Sequence, residues 1–136
     1  MRTRSLLFLA SLALTACSLV FDAAPAERAV EEFHASLDAG RFEALYDSAG
    51  DEMKNASSKQ DFVAFVDAVH RKLGAVKAVE KIGTHRTAGT RGTFLVLTYR
   101  TTFTEGPATE TFSFRIASGA PVLVGYNVNS NLLIVK

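Results

Sequence analysis

Apolar residues in the first half of the chain recur every three or four positions, which is the spacing of an amphipathic helix. The first such stretch predicts a helix from Pro25 to Ala39, because proline suits a first helical turn and Gly40 suits a helix end. Its buried stripe should consist of Ala26, Ala29, Val30, Phe33 and Leu37. A second, short helix is predicted from Arg41 to Ser48.

A third helix is predicted to start near Ser58 and to end at Gly74. Ser58 and Asp61 form a variant of the capping box, with aspartate in place of the usual glutamate. The apolar stripe of this helix should consist of Phe62, Phe65, Val66, Val69 and Leu73. Residues 50–57 are polar, so we expect them to form a loop.

The second half of the chain is rich in β-branched and aromatic residues and often alternates apolar with polar positions, which predicts strands. Strands are expected over residues 76–88, with a bend or bulge at Gly83, and over Thr93–Thr104, Thr109–Ala117 and Val122–Ile134. Helices followed by a run of strands predict an α+β fold, with N-terminal helices packed on one face of a four-stranded antiparallel sheet.

The chain begins with a basic segment that is followed by a short apolar run. Arg2 and Arg4 precede the uncharged stretch from Leu6 to Leu14, a layout that is typical of a secretory signal. The run is shorter than the roughly 20 apolar residues that a membrane span needs. The next residues, Leu14-Thr15-Ala16-Cys17, resemble the lipobox of bacterial lipoproteins, and the resemblance implies a signal peptide over residues 1–16 and a lipid on Cys17.

The lipoprotein interpretation divides the remaining chain into a lipidated tether over residues 17–24 and a single α+β domain over residues 25–136. Ser18 after the cysteine usually accompanies export to the outer membrane in Gram-negative bacteria, so we expect the protein on the periplasmic face of that membrane. The alternative is plain secretion, with cleavage near Ala23 or Ala24.

Charge and cysteine content exclude several classes of function. Cleavage would remove Arg2 and Arg4 from the 15 basic residues, which leaves 13 basic against 14 acidic side chains. Because nucleic-acid binding needs a basic surface, we do not expect that partner. Cys17 is the only cysteine, so the chain can form no internal disulfide, and lipidation would also exclude a thiolate role in metal binding or redox chemistry.

Three short stretches resemble an uncharacterised family of small bacterial envelope proteins. They run from Ala29 to Phe42, from His70 to Gly74, and from Leu95 to Phe103 with Gly125-Tyr126 after it. This domain-of-unknown-function family is related to the cystatin-like or nuclear-transport-factor-like cone fold. The resemblance therefore implies helices on a curved four-stranded antiparallel sheet, and it implies no activity.

The titratable residues show no catalytic, cofactor-binding or metal-binding set. Glu31 and His34 share a helix face, but the further ligands that a di-iron bundle requires are missing, so we expect this face to be solvated. Glu105 and Glu110 flank a predicted turn, where we expect solvent rather than the apolar surroundings that perturb a catalytic acid.

The tyrosines are the best candidates for a binding site. Tyr46, Tyr99 and Tyr126 could place hydroxyl groups at the rim of an apolar pocket, since tyrosine combines an apolar ring with a polar tip. The lining would come from Leu97, Phe112 and Phe114. The alternative is that these side chains simply fill the core.

Together these observations predict a non-enzymatic envelope protein that binds an unknown partner protein or a small apolar ligand and is held on a membrane through Cys17. Two alternatives stay open. One is a small cone-fold enzyme of the isomerase type, which would need an acid or a histidine directed into a pocket. The other is a periplasmic immunity or inhibitor lipoprotein, which a neighbouring toxin gene would indicate.

Overall fold

The computed structural model describes residues 21–135. The predicted signal peptide over residues 1–16, the lipidation site at Cys17 and the first part of the tether lie outside the described residues.

Four helices form the first half of the domain. Their bounds are Ala24–Asp38 (α1), Phe42–Asp47 (α2), Asp51–Ala56 (α3) and Lys59–Leu73 (α4). The predicted capping box at the start of α4 is confirmed, since the Ser58 hydroxyl accepts a hydrogen bond from the Asp61 backbone N–H at 3.1 Å. Gly74 ends α4 at a φ of 79°, a left-handed conformation that glycine adopts without strain.

Helix α3 corrects the expectation of a loop over residues 50–57. Only one of its side chains, Met53, is buried, so the segment carries no apolar periodicity that the sequence could reveal. Asp51 and Glu52 favour the first turn of a helix because carboxylates offset the positive end of the helix dipole. The Gly50 N–H also donates to the Leu123 carbonyl at 2.8 Å, which holds the start of α3 on the sheet.

Four strands follow and form one curved, open antiparallel sheet. Their bounds are Val76–Gly89 (β1), Gly92–Phe103 (β2), Gly106–Ala117 (β3) and Ala120–Asn129 (β4), and their order in the sheet is their order in the chain. This meander beneath N-terminal helices confirms the predicted α+β fold. The pairing of β1 with β2 shifts between Lys81 and Gly83, which confirms the predicted irregularity at Gly83.

The last strand is shorter than expected. It ends at Asn129 rather than Ile134, and residues Leu132–Val135 form a short helix, α5. The Ser130 hydroxyl donates to the Pro107 carbonyl at 2.9 Å and accepts from the Leu132 N–H at 3.3 Å, so the chain turns at this serine. A short apolar run such as Leu132–Val135 suits a strand or a helix equally well, and the sequence could not distinguish them.

The core lies between the helices and the inner face of the sheet. Strand β2 shows the alternation most clearly, because its inner residues Leu95, Leu97, Tyr99, Thr101 and Phe103 are all buried. The predicted helix stripes are largely confirmed. Phe65 is the exception: 40% of it is exposed, because it lies at the margin of the α4 stripe beside the buried Val66.

Candidate functional site

A buried carboxyl group lies at the centre of the domain. Glu110 on β3 is 0% exposed, and three side chains from three other elements surround it. Its Oε1 accepts a hydrogen bond from the Tyr126 hydroxyl on β4 at 2.6 Å. Its Oε2 accepts from the Thr101 hydroxyl on β2 at 2.6 Å and lies 2.7 Å from Nε2 of His34 on α1. We call Glu110, His34, Thr101 and Tyr126 the polar cluster.

The sheet register explains how the polar cluster assembles. Glu110 pairs with Tyr99 on one side and with Val128 on the other, so Thr101 and Tyr126 are its diagonal neighbours on the same face. Helix α1 packs over this face and supplies His34 from the position after the buried Phe33. The cluster therefore joins α1 to the three strands β2, β3 and β4.

Hydrogen bonding makes the burial of Glu110 tolerable. Removing a carboxylate from water costs several kcal/mol unless partners replace the lost hydration. All three neighbours can donate to Glu110, and among residues 21–135 no buried side-chain nitrogen or oxygen lacks a partner. Burial, together with the nearby Glu110 carboxyl, holds the pKa of Tyr126 well above its usual value of 10.0, so this hydroxyl stays a donor.

The polar cluster corrects two expectations from the sequence. Glu110 was expected near solvent beside a turn, but β3 begins at Gly106, so Glu110 lies well inside the strand. His34 was expected on a solvated face, but it is only 6% exposed, whereas Glu31 is exposed. One signal was present in the sequence, since Glu110 has the same two-residue phase as the buried Phe112 and Phe114.

A cleft of about 330 Å³ lies beside the polar cluster, between α1, α2 and strands β3 and β4. Its apolar lining includes Phe33, Leu45, Phe112, Phe114 and Leu123. Glu32 and Ser36 on α1, and Ser48 directly after α2, add polar groups. A volume of this size falls at the lower end of the range for small-molecule sites, which are mostly apolar with a few polar groups.

The cleft and the polar cluster share a group of aromatic rings. The ring centroids of Phe33 and Phe112, which both line the cleft, are 5.2 Å apart. The Tyr126 ring contacts both of them, at 4.6 Å from Phe33 and 5.1 Å from Phe112. One side of this aromatic group therefore borders the cleft, while its tyrosine hydroxyl bonds Glu110.

Each of the three predicted rim tyrosines has its own set of contacts in the structure. The Tyr46 hydroxyl donates to the Ser57 carbonyl at 2.8 Å. Tyr99 is buried in the core, where burial and the acidic Glu27 and Glu31 raise its pKa to about 12. Tyr126 belongs to the polar cluster, and none of the three is among the residues that line this cleft.

Only part of the predicted pocket lining is found at the cleft. Phe112 and Phe114 line the cleft, whereas Leu97 lies in the core away from it. The side chains that the sequence analysis missed are Glu32, Ser36 and Ser48 at the cleft and Thr101 in the polar cluster.

Among residues 21–135, no three histidine, cysteine, aspartate or glutamate side chains are grouped closely enough to hold a metal ion. None of the helices in the same range has the length and apolar character needed to cross a membrane.

The fold and the site define a small α+β domain that has helices over an antiparallel meander, a buried acid–histidine pair and an apolar cleft. Residues 29–126 match the model of a family described as "Protein of unknown function (DUF4019)", and the chain belongs to this family. A comparison with curated proteins found no match.

Proposed function

We propose that this protein is a lipid-anchored, non-enzymatic envelope protein that binds a small apolar molecule carrying a hydrogen-bond donor such as an amine. The observation that carries the proposal is the cleft between α1, α2 and the sheet, with its aromatic lining from Phe33, Phe112 and Phe114. A ligand of this kind would bury its apolar body against the accessible edges of these rings and against Pro121 and Leu123, which also line the cleft.

The polar groups of the cleft favour a ligand that donates hydrogen bonds. Glu32 is an exposed acid, and its carboxylate can only accept. The Ser48 hydroxyl already donates to the Ala44 carbonyl at 2.9 Å, so its oxygen offers lone pairs to a ligand. An amine or amide N–H would therefore meet acceptors where the cleft opens, whereas an anionic ligand would face Glu32.

The polar cluster supports binding over catalysis. An acid–base enzyme needs its acid or histidine within hydrogen-bond reach of the substrate. Glu110 and His34 form a hydrogen bond with each other instead, and neither is among the residues that line the cleft. The acid that does line it, Glu32, is exposed to solvent, which is not the apolar environment that tunes a catalytic carboxyl group.

The membrane anchor is the second part of the proposal. The lipobox-like residues before Cys17 support lipidation there, and Ser18 supports the periplasmic face of the outer membrane. Phe21, the first described residue, is four positions after Cys17, a separation of at most about 14 Å along an extended chain. The domain would then lie close to the membrane surface. A cone fold of the cystatin-like type is proposed for it, because its sheet is curved and its helices cover one face.

Filling the cleft tests the binding role. The probe is N-phenyl-1-naphthylamine, a neutral apolar fluorophore with one N–H group, titrated into the mature protein. Ala29 lines the cleft, so Ala29→Phe should weaken binding at least about tenfold by occupying the space of the ligand. Ala44→Phe, on the exposed side of α2 and also lining the cleft, should have the same effect.

The matched control is Ala35→Phe, which adds the same ring at an exposed position of α1 that does not line the cleft. It should leave the affinity within about twofold of the starting protein. If the starting protein does not bind the probe, or if Ala29→Phe and Ala44→Phe bind it unchanged, the cleft is not the binding site.

Replacing the lipidated cysteine tests the anchor. Cys17→Ala should move the protein from the membrane fraction to the soluble periplasmic fraction and should abolish the incorporation of labelled palmitate. Ser18→Ala is the control, since it alters the neighbouring residue and retains the thiol that would carry the lipid. A Cys17→Ala protein that stays in the membrane fraction would show that the lipid interpretation is wrong.

A further inference from the structure

The polar cluster and the cleft both adjoin the aromatic contact between Phe33, Phe112 and Tyr126. Phe33 lines the cleft, and the next residue on α1, His34, bonds Glu110. On β3, Phe112 lines the cleft and Glu110 is two positions away on the same face. On α1, the cleft residue Phe33 therefore precedes the cluster residue His34. On β3, the cleft residue Phe112 shares a face with the cluster residue Glu110.

We infer that the polar cluster is a positioning device for the ligand cleft: it fixes helix α1 on the sheet in the rotation and at the distance that the ligand requires. The inference rests on the proposed binding function. It assigns a binding role to His34, Glu110, Tyr126 and Thr101, although none of them would touch the ligand.

The cleft is sensitive to the position of α1 because its aromatic lining is tightly packed. Phe33, Phe112 and Phe114 are at most 4% exposed, so little of each ring is open to a ligand. A small displacement of α1 would change the area of these rings that the ligand can reach. The ring area that a ligand can reach would therefore depend on the separation between α1 and the sheet.

Apolar packing seats α1 on the sheet, but hydrophobic contacts themselves have no preferred direction, so a directional contact adds a separate constraint on the rotation of the helix. The contact of 2.7 Å between His34 Nε2 and Glu110 Oε2 is directional and buried. Tyr126 and Thr101 hold the Glu110 carboxyl group in place from the neighbouring strands, at 2.6 Å each. These contacts thus hold α1 against the sheet next to the residues that line the cleft.

The other polar contacts of α1 with the sheet lie on strand β1 and are exposed. Glu27 forms an ion pair with Lys81, and Asp38 accepts from the Val76 N–H at 3.2 Å. Neither contact involves a residue that lines the cleft. Glu27 is therefore a suitable control, because its loss removes an ionic contact of the same helix without altering the polar cluster.

Tyr126→Phe is the decisive variant, since it removes one hydroxyl and keeps the ring that packs on Phe33 and Phe112. The dissociation constant for N-phenyl-1-naphthylamine, measured on fully folded protein, should rise about fivefold. Glu110→Gln, which keeps the shape of the side chain, should raise it at least as much. Glu27→Gln should leave it within about twofold.

Amide hydrogen exchange supplies a second readout. In Tyr126→Phe, the protection of the α1 amides around Phe33 and His34 from exchange should fall more than that of the α4 amides. The reason is that the variant weakens the contact of α1 with the sheet. A purely stabilising cluster would lower the midpoint of unfolding and leave the affinity of the folded protein unchanged. That result in both Tyr126→Phe and Glu110→Gln would overturn the inference.

The same titrations separate this inference from the proposed function. If the starting protein binds the probe and Ala29→Phe abolishes binding, the cleft is the binding site, whatever affinity the variants of the polar cluster show. If the probe binds but Tyr126→Phe, Glu110→Gln and Glu27→Gln all retain its affinity, only the positioning role is wrong. If the starting protein does not bind the probe, the proposed function is wrong and the positioning role fails with it.

Discussion

Two strand glutamates with basic partners show how differently one residue type acts in this domain. Glu80 on β1 contacts Arg100 on β2 at 3.0 Å, and 66% of its side chain is exposed. Glu110 on β3 contacts His34 at 2.7 Å, and its side chain is 0% exposed. Strand β1 lies at the edge of the sheet with nearly all of its residues exposed, whereas β3 is paired on both sides and covered by helices. Water therefore screens the first pair and is excluded from the second.

Burial decides what a charged contact does in this domain. The exposed pair competes with water and salt, so it should add little to stability. The buried group must be fully hydrogen-bonded, so every partner of Glu110 becomes important to the fold. Four substitutions or conditions test this difference, and their effects on stability should decrease in the order given.

His34→Leu should cause the largest loss, roughly 3–5 kcal/mol in the free energy of unfolding, because it leaves the buried Glu110 carboxyl without its basic partner. Urea unfolding followed by circular dichroism measures the change. His85→Leu, at an exposed position of β1, is the control and should stay within about 0.5 kcal/mol. A loss below about 1 kcal/mol for His34→Leu would show that the buried contact contributes no more than an exposed one.

Tyr126→Phe should cost about 1.5–2 kcal/mol, since it removes one hydrogen bond to an acidic group and keeps the ring in the core. The matched substitution is Tyr46→Phe, which removes a hydrogen bond from a tyrosine hydroxyl to the neutral Ser57 carbonyl. That loss should be near 1 kcal/mol. Equal losses in the two variants would contradict the special role of the Glu110 carboxyl group.

Alkaline pH should destabilise the protein by a smaller amount when the effect is counted for one tyrosine over one pH unit. The pKa of Tyr126 is raised by burial and by Glu110, and that of Tyr99 is raised to about 12. Between about pH 10 and 12 the unfolded tyrosines lose protons that the folded ones retain, so stability falls as pH rises. Each tyrosine contributes at most about 1.4 kcal/mol per pH unit.

Urea titrations at pH 9, 10 and 11 measure this dependence. Tyr126→Phe and Tyr99→Phe should each reduce the slope of stability against pH, and the double variant should reduce it further. Tyr46→Phe is the control, because its hydroxyl is only partly buried. A slope that is unchanged in the double variant would show that neither tyrosine is the titrating group.

Glu80→Gln should have the smallest effect, within about 0.5 kcal/mol, because it breaks an exposed pair. Adding 1 M sodium chloride should make the starting protein and the variant still more alike, since salt screens exposed charges. If Glu80→Gln cost as much as His34→Leu, burial would not be the factor that separates the two glutamates.

Much of the fold could be predicted from periodicity. The stripes of α1 and α4, the cap at Ser58 and the alternation along β2 and β3 are local signals, and the structure confirms them. Helix α3 could not be predicted because Met53 is its single buried residue. The end of β4 also escaped prediction, because a contact with the distant Pro107, through the Ser130 hydroxyl, helps to turn the chain there.

The candidate site was less predictable than the fold. Phe112 and Phe114 were assigned to a pocket lining on their strand alternation, and they do line the cleft. The polar cluster escapes prediction because the sequence pattern indicates a start of β3 at Thr109, three residues late, and so puts Glu110 beside a turn. The burial of His34 could not be predicted, because the contacts of a helix face depend on the surface that packs against it.

From the spacing of apolar residues alone, the sequence indicates helices α1, α2 and α4 and the four strands, and it indicates that the helices precede an antiparallel meander. The tertiary structure alone decided that Glu110, His34, Thr101 and Tyr126 meet, and that a cleft remains beside them. Those contacts join residues 9 to 76 positions apart, and they depend on sheet register and on the rotation of α1. No local pattern encodes either quantity, because both result from the packing of the whole core.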